Sequence, residues 1–409
     1  MRRRKWLERA KSLLIAVLAL TVLALTVLAL PAKTVTDTPW LAALVRPFAS
    51  VMGLTQGELT ATPMADAASV TGAAQPVAVS VRNPAGRTSF QFDTAALDTA
   101  FEQFGAALGQ ALEGAQEPQR TTALRIQTAL GKTSVAFRYP GEISPALAAS
   151  WLQVETALDE SVRAQWLILA NEDAAVNLYL VGEELFVCQT QLDGDALEQL
   201  LQSCTPDGSF FAFEDAQARF SSVEPLSLLP GQTPQIHAAE AANPCDARFS
   251  DALAATLGFN PYGDARYTDD AGNTTYTETG YALSISASGE QAELVECARS
   301  LLSAMTAGVN SDARLYLTDL EQNGSESVCT FDYFLSGIPV LPAGGYGAEV
   351  RFSGTSIVQV RLVLRAYTLT TQTLSVLPPA QAAAILPEGS ALRLVYSDTS
   401  AGITAGWQS

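Results

Sequence analysis

The longest apolar run in the chain, Leu13 to Leu30, is broken only by Thr21 and Thr26. As a helix its eighteen residues reach about 27 Å, close to the roughly 30 Å hydrocarbon core of a bilayer. Arg2, Arg3, Arg4, Lys5, Arg9 and Lys11 precede the run against one acid, Glu8. Such a cluster stays cytoplasmic, so the pattern predicts a basic cytoplasmic segment over 1–12, a transmembrane helix over 13–30, and an extracytoplasmic remainder. The competing reading is a cleaved secretory signal, whose apolar core is usually shorter. Ala29 and Ala32 offer poor small-x-small cleavage sites, and no cysteine lies near the end of the run to carry a lipid. Both readings export the remainder of the chain.

From 31 to 75 the periodicity is weak and Pro, Thr, Ala, Gly and Ser dominate, which predicts a stalk with one short helix, Leu41 to Met52. Patterning then sharpens into a first domain over 76–213. Val77, Val79 and Val81 alternate toward a turn at Asn83-Pro84-Ala85-Gly86, and the chain returns through Ser89 to Phe92. Asp93 caps a helix with Leu97, Phe101, Phe104, Leu108 and Leu112 on one face. A second helix ends at Gly131. Val135, Phe137 and Tyr139 then alternate along a strand ending at Pro140, and Ser144-Pro145 starts another helix. Strands over 166–170, 176–181 and 184–190 come next, and then a helix over 195–204.

Periodicity fades over 214–246, which reads as a linker. A second domain over 247–409 begins with a helix capped by Ser250 and ended at Gly258. Hairpins are predicted around Asp270-Ala271-Gly272-Asn273, Asn323-Gly324 and Ser353-Gly354, with a strand from Tyr281 to Ser286. A helix spans Glu290 to Met305, another Pro379 to Ile385, and a last strand Ala391 to Tyr396. Tight turns between strand neighbours make the sheets mainly antiparallel and the class α+β.

The net charge is −18; six bases and one acid lie within the first twelve residues, so the exported part carries about −23. That excludes nucleic acid as a partner, because phosphate recognition needs a basic surface. Cys188, Cys297 and Cys329 sit at core positions of strands and a helix, and Cys204 with Cys245 is the one pair worth testing for a bridge. The lone histidine, His237, falls in the linker, which removes His-based metal sites and Ser-His or Cys-His nucleophiles. Asp269, Asp270, Asn273 and Glu278 cluster oxygen ligands, but their spacing is that of a turn and not of a calcium loop. Asp332, opposite Phe331 and Tyr333 on its strand, reads as solvated. No catalytic, cofactor or metal residues are assigned.

Val328-Cys329-Thr330-Phe331-Asp332-Tyr333-Phe334-Leu335-Ser336-Gly337-Ile338-Pro339-Val340 resembles a segment of the YycH/YycI family. Trp6 to Ser12, Tyr276 to Ile285, Gly347 to Arg361 and Leu377 to Ala382 resemble the same pattern. Trp407 is similar to a family ending from which Ala405 and Gly406 depart. The resemblance covers the anchor and residues 247–409, making the second domain YycI-like. Over 75–235 it rests on length and order, nearer to YycH than to the shorter YycI. It implies a single-span extracytoplasmic protein of Gram-positive bacteria. Its implied role is regulation of a cell-wall-controlling sensor histidine kinase of a two-component system, with a second YycH/YycI-type protein as a further partner.

The residues themselves leave two functions open. One is a non-enzymatic regulator acting by contact with a membrane kinase, for which Ala16, Ala19 and Thr26 provide a stripe within about 80° of one another on the span, permitting close helix packing. The other is an extracytoplasmic module that binds a peptide or cell-wall fragment in a cleft between two domains.

Overall fold

The computed structural model describes residues 74–408, apart from 174, 244–263, 269–273, 285–289, 307–308, 343–344, 386, 388, 390 and 400. The predicted span, the helix over 41–52 and the helix after Ser250 lie outside the described residues. Among those described, no helix is long and apolar enough to cross a membrane. Ala74 and Gln75, which the sequence pattern assigns to the end of the stalk, are buried.

The first half runs β1 (Ala78–Asn83), β2 (Gly86–Phe90), α1 (Thr94–Glu113), β3 (Gln119–Arg120), α2 (Ala123–Leu130), β4 (Ser134–Ile143), α3 (Pro145–Trp151), β5 (Ala164–Glu172), β6 (Ala175–Val181), β7 (Leu185–Asp193) and α4 (Gly194–Leu201). Its strands form one antiparallel sheet in the order β2-β1-β4-β5-β6-β7-β3. Local chemistry sets these boundaries. The Asp93 carboxylate accepts from the N–H groups of Ala95 and Ala96, satisfying donors that the first turn of α1 leaves free. Ser144 caps α3 through the Leu147 N–H, with Pro145 at the first helical position. The Asn83 side chain accepts from Ala85 and Gly86, closing the β1–β2 turn.

Two strand pairs come next: β8 (Phe210–Phe211) with β9 (Leu228–Leu229), and β10 (Ile236–Ala242) with β18 (Ala366–Leu374). The segment that reads as a linker therefore carries strands of its own. Its Ile-His-Ala-Ala-Glu-Ala-Ala sequence shows no apolar alternation, and the strand arises from its partner, as is common for β structure. The other elements are β11 (Asp264–Thr268), β12 (Thr274–Ser284), α5 (Gln291–Thr306), β13 (Arg314–Asn323), β14 (Glu326–Leu335), β15 (Ile338–Leu341), β16 (Ala348–Ser353), β17 (Ser356–Leu364), α6 (Pro379–Ile385), β19 (Arg393–Thr399) and β20 (Gly402–Gln408). They order as β11-β12-β17-β16-β14-β15-β19-β20, with β13 also on β14; among the described residues only the β15–β19 pairing is parallel. The class is α+β with antiparallel sheets, as the turn spacing predicts.

After the Ser353-Gly354 turn the pattern from Ile357 to Tyr367 reads as one strand, but the structure has two, β17 and β18, broken at Arg365. That side chain is buried and donates to both oxygens of Asp398, at 2.8 and 2.9 Å. Nothing local signals the break, because its cause lies on β19.

One continuous cluster forms the main core. It contains Phe101, Phe104 and Leu108 of α1 and Phe137, Leu167 and Leu178 of the first sheet. From the second half come Leu294 and Leu301 of α5 and Phe331, Val350 and Phe352 of the second sheet. The opposite face of the first sheet is covered by α2, with Ile126 and Leu130 against Ala136, Trp166 and Tyr179. A central strand such as β4 is thus buried on both faces. Opening the two halves on a hinge would expose the shared cluster, at about 25 cal/mol per Å² of apolar surface.

Candidate functional site

The seam between the halves is polar as well as apolar. Arg314 pairs with Asp98 at 2.9 Å and donates to Gln75 Oε1 at 2.6 Å. Arg163 Nη1 donates to the Leu320 carbonyl at 2.5 Å. The Trp151 indole N–H donates to Glu296 Oε1 at 3.0 Å, and Ser144 Oγ to Gln291 Oε1 at 3.2 Å. At Gly141 the backbone of β4 lies so near Thr318 of β13 that a Cβ there would overlap the Thr318 carbonyl oxygen.

Two cavities open along this seam. The first, about 320 Å³, is lined by Trp151, Arg299, Arg314, Tyr316, Tyr333 and Arg365 among others. Its cations are satisfied within the protein: Arg299 holds Glu296 at 2.7 Å, Arg314 holds Asp98, and Arg365 holds Asp398. A ligand anion here would have to displace an existing pair.

The second cavity, about 340 Å³, lies between the β2–α1 corner and β4 on one side and β13, β14 and the β19–β20 hairpin on the other. Gln91, Phe92, Arg138, Thr318, Asp332, Phe334, Arg393, Trp407 and Gln408 line it. Arg138 is half-buried on the face of β4 opposite Phe137, its guanidinium 5.9 Å from the Trp166 ring. Burial, and then the facing charge of Arg393, push its pKa down to about 10, against a smaller opposing pull from Glu224. A small adjoining recess is lined by Arg138, Trp166, Glu224 and Arg393. Phe92 takes φ of 66°, a left-handed backbone costly for a bulky side chain. Trp407 is fixed by donating its indole N–H to the Leu377 carbonyl at 2.7 Å.

Asp332 departs from the solvated position that alternation predicts. It is half-buried in the second cavity and accepts the Gly347 N–H at 2.9 Å, and burial raises its carboxyl above the usual range. Alternation places a residue on a face, but here a second layer covers that face.

Of the residues singled out for partner contact, Ala16, Ala19 and Thr26 lie outside the described residues. His237 is an exposed residue of β10 whose Nδ1 lies 3.1 Å from the Thr370 carbonyl. Cys188, Cys297 and Cys329 are buried free thiols, pushed up to about 12, 11 and 12 by burial. That disfavours the thiolate a nucleophile needs. Cys204 is an unbridged thiol; Cys245 lies outside the described residues. No group of three or more His, Cys, Asp or Glu side chains is placed to hold a metal among the described residues. Sequence patterning does not single out Arg138 or Arg393. The one available signal is an arginine inside a strand whose neighbours on both faces are apolar.

No family model matches the sequence, and no curated protein sequence does. The fold is similar to the crystal structure of YycH from Bacillus subtilis, with a TM-score of 0.50 and 10% identity over 80% of this chain and 92% of that chain. At that identity the likeness is one of fold. Its extent is informative, because 80% of the chain is more than the anchor and residues 247–409 together supply. The YycH-like fold therefore continues into the first half, where no sequence motif carried it.

Proposed function

We propose that this chain is a membrane-anchored extracytoplasmic regulator that contacts a membrane sensor histidine kinase and biases it between signalling states, without chemistry of its own. The observation that carries this reading is the YycH-like fold across both halves, joined to the motifs of the YycH/YycI resemblance and to the basic segment and apolar run at 1–30. A YycI-like second half and a second family member as partner belong to the same proposal. The effect needs only a difference in affinity for two kinase states, and about 1–3 kcal/mol suffices to change output roughly 5- to 150-fold. Anchoring supports it, since tethering in one bilayer raises effective concentration.

The span supplies the first test. Replacing Ala16, Ala19 and Thr26 together by leucine keeps the segment apolar but blocks close helix approach. Kinase output in cells, read from a response-regulator reporter, is expected to move toward that of a deletion strain while protein level stays constant. Unchanged output would remove the stripe from the contact, and an unchanged deletion strain would remove the function.

A further inference from the structure

Every guanidinium whose side chain the structure describes has a carboxylate, carbonyl or hydroxyl partner, with two exceptions, Arg138 and Arg393. These two share one cavity and face each other. In a chain with 42 acids against 24 bases, pairing either with a carboxylate is the easy outcome. Glu224, in the adjoining recess, offsets part of the repulsion at Arg138 but makes no hydrogen bond or close ion pair with either guanidinium. Like charges opposed in this way destabilise the empty protein, and such an arrangement persists where a ligand resolves it. The first cavity is the internal contrast: similar in volume and also arginine-lined, it has a carboxylate on each guanidinium.

The rest of the wall narrows the ligand. Phe92, Phe334 and Trp407 present apolar rings, and Phe92 holds a strained backbone there. Asp332, also in the wall, disfavours a second anion and can accept an N–H. A volume of about 340 Å³ is at the small end of ligand pockets, which favours a small molecule over a folded partner. Guanidinium forks match a planar carboxylate with paired hydrogen bonds.

We propose that this cavity binds a small organic acid with an apolar, amide-bearing body. The carboxylate sits between Arg138 and Arg393, the body lies against Phe92, Phe334 and Trp407, and the amide N–H points to Asp332. The site stands whether or not the chain regulates a kinase.

The test titrates the full chain, in nonionic detergent, with N-acetylphenylalanine, its C-terminal amide and acetate, following tryptophan fluorescence and heat. The acid is expected to bind, with the amide and acetate each weaker by about ten-fold or more. Arg393→Gln, at an exposed position, should weaken the acid by about ten-fold or more with no change in melting temperature. Arg138→Met should abolish binding and raise the melting temperature of the empty protein, because it removes the opposed charge. Equal affinity for acid and amide, or no binding by about 10 mM, would overturn the proposal. So would binding that survives both substitutions, or an Arg138→Met protein that binds normally and melts lower, which makes the arginine structural.

Discussion

Asp398→Ala is expected to lower stability by about 3–5 kcal/mol, the range seen when one partner of a buried ion pair is removed. Both side chains are nearly inaccessible, at 7% for Arg365 and 1% for Asp398. Asp398 also accepts the Tyr367 hydroxyl at 3.1 Å, and that hydroxyl's pKa is raised by burial and then by the Asp398 charge. Alanine would leave the Arg365 cation buried with its acid gone and a phenol without its acceptor. The loss should fall on the register between the β17–β18 break and the C-terminal hairpin, so limited proteolysis is expected to nick β19–β20 before the first half. Urea melting measures the size. The double variant Arg365→Met/Asp398→Leu should recover most of the loss, because burying neither charge is often as stable as burying both. A single variant that melts within about 0.5 kcal/mol of the parent would show that the pair is not closed in solution.

Gly141→Ala carries the second large effect. The added Cβ would overlap the Thr318 oxygen and lie 2.6 Å from its carbonyl carbon, and both are backbone atoms that no rotamer change can move. β4 and β13 must separate, which also strains the Arg163 to Leu320 hydrogen bond beside them. Overpacking costs about 1–3 kcal/mol where side chains can adjust and more where they cannot, so a loss of about 3 kcal/mol or more is expected. Gly109→Ala is the matched control. Its Cβ would meet Val154 and Leu152 at 3.6 and 3.9 Å, ordinary contact inside α1, and alanine there should stabilise by about 0.5–1 kcal/mol. Thermal melting of both variants separates a tight seam from a general intolerance to added volume. If Gly141→Ala behaves like Gly109→Ala, the halves do not meet along β4 and β13.

Elements whose cause is local were readable in sequence. α1 arises from its apolar spacing and the Asp93 cap, α3 from Ser144-Pro145, and the β13–β14 hairpin from the Asn-Gly pair, although Asn323 ends the strand and the loop is Gly324-Ser325. Elements whose cause is distant were not. β10 is a strand because β18 runs beside it, and β20, with glycines at 402 and 406, because β19 does. The division of 357–367 depends on an aspartate more than thirty residues later. The arginine cavity was hidden for the same reason: alternation says that Arg138 points away from Phe137, but only the packed halves show that Arg393 faces it and that Glu224 offsets the repulsion only in part.

The central claim is contact with a membrane sensor kinase through an anchored YycH-like ectodomain. Its most direct test is reconstitution of the full chain with a sensor kinase from its host in lipid vesicles, beside the same chain cut after Ala32, with affinity capture and kinase autophosphorylation as readouts. The kinase is expected to be retained by the full chain and far less by the cut chain, with autophosphorylation shifting by about 5-fold or more only when the span is present. A kinase neither retained nor altered by the full chain would contradict it.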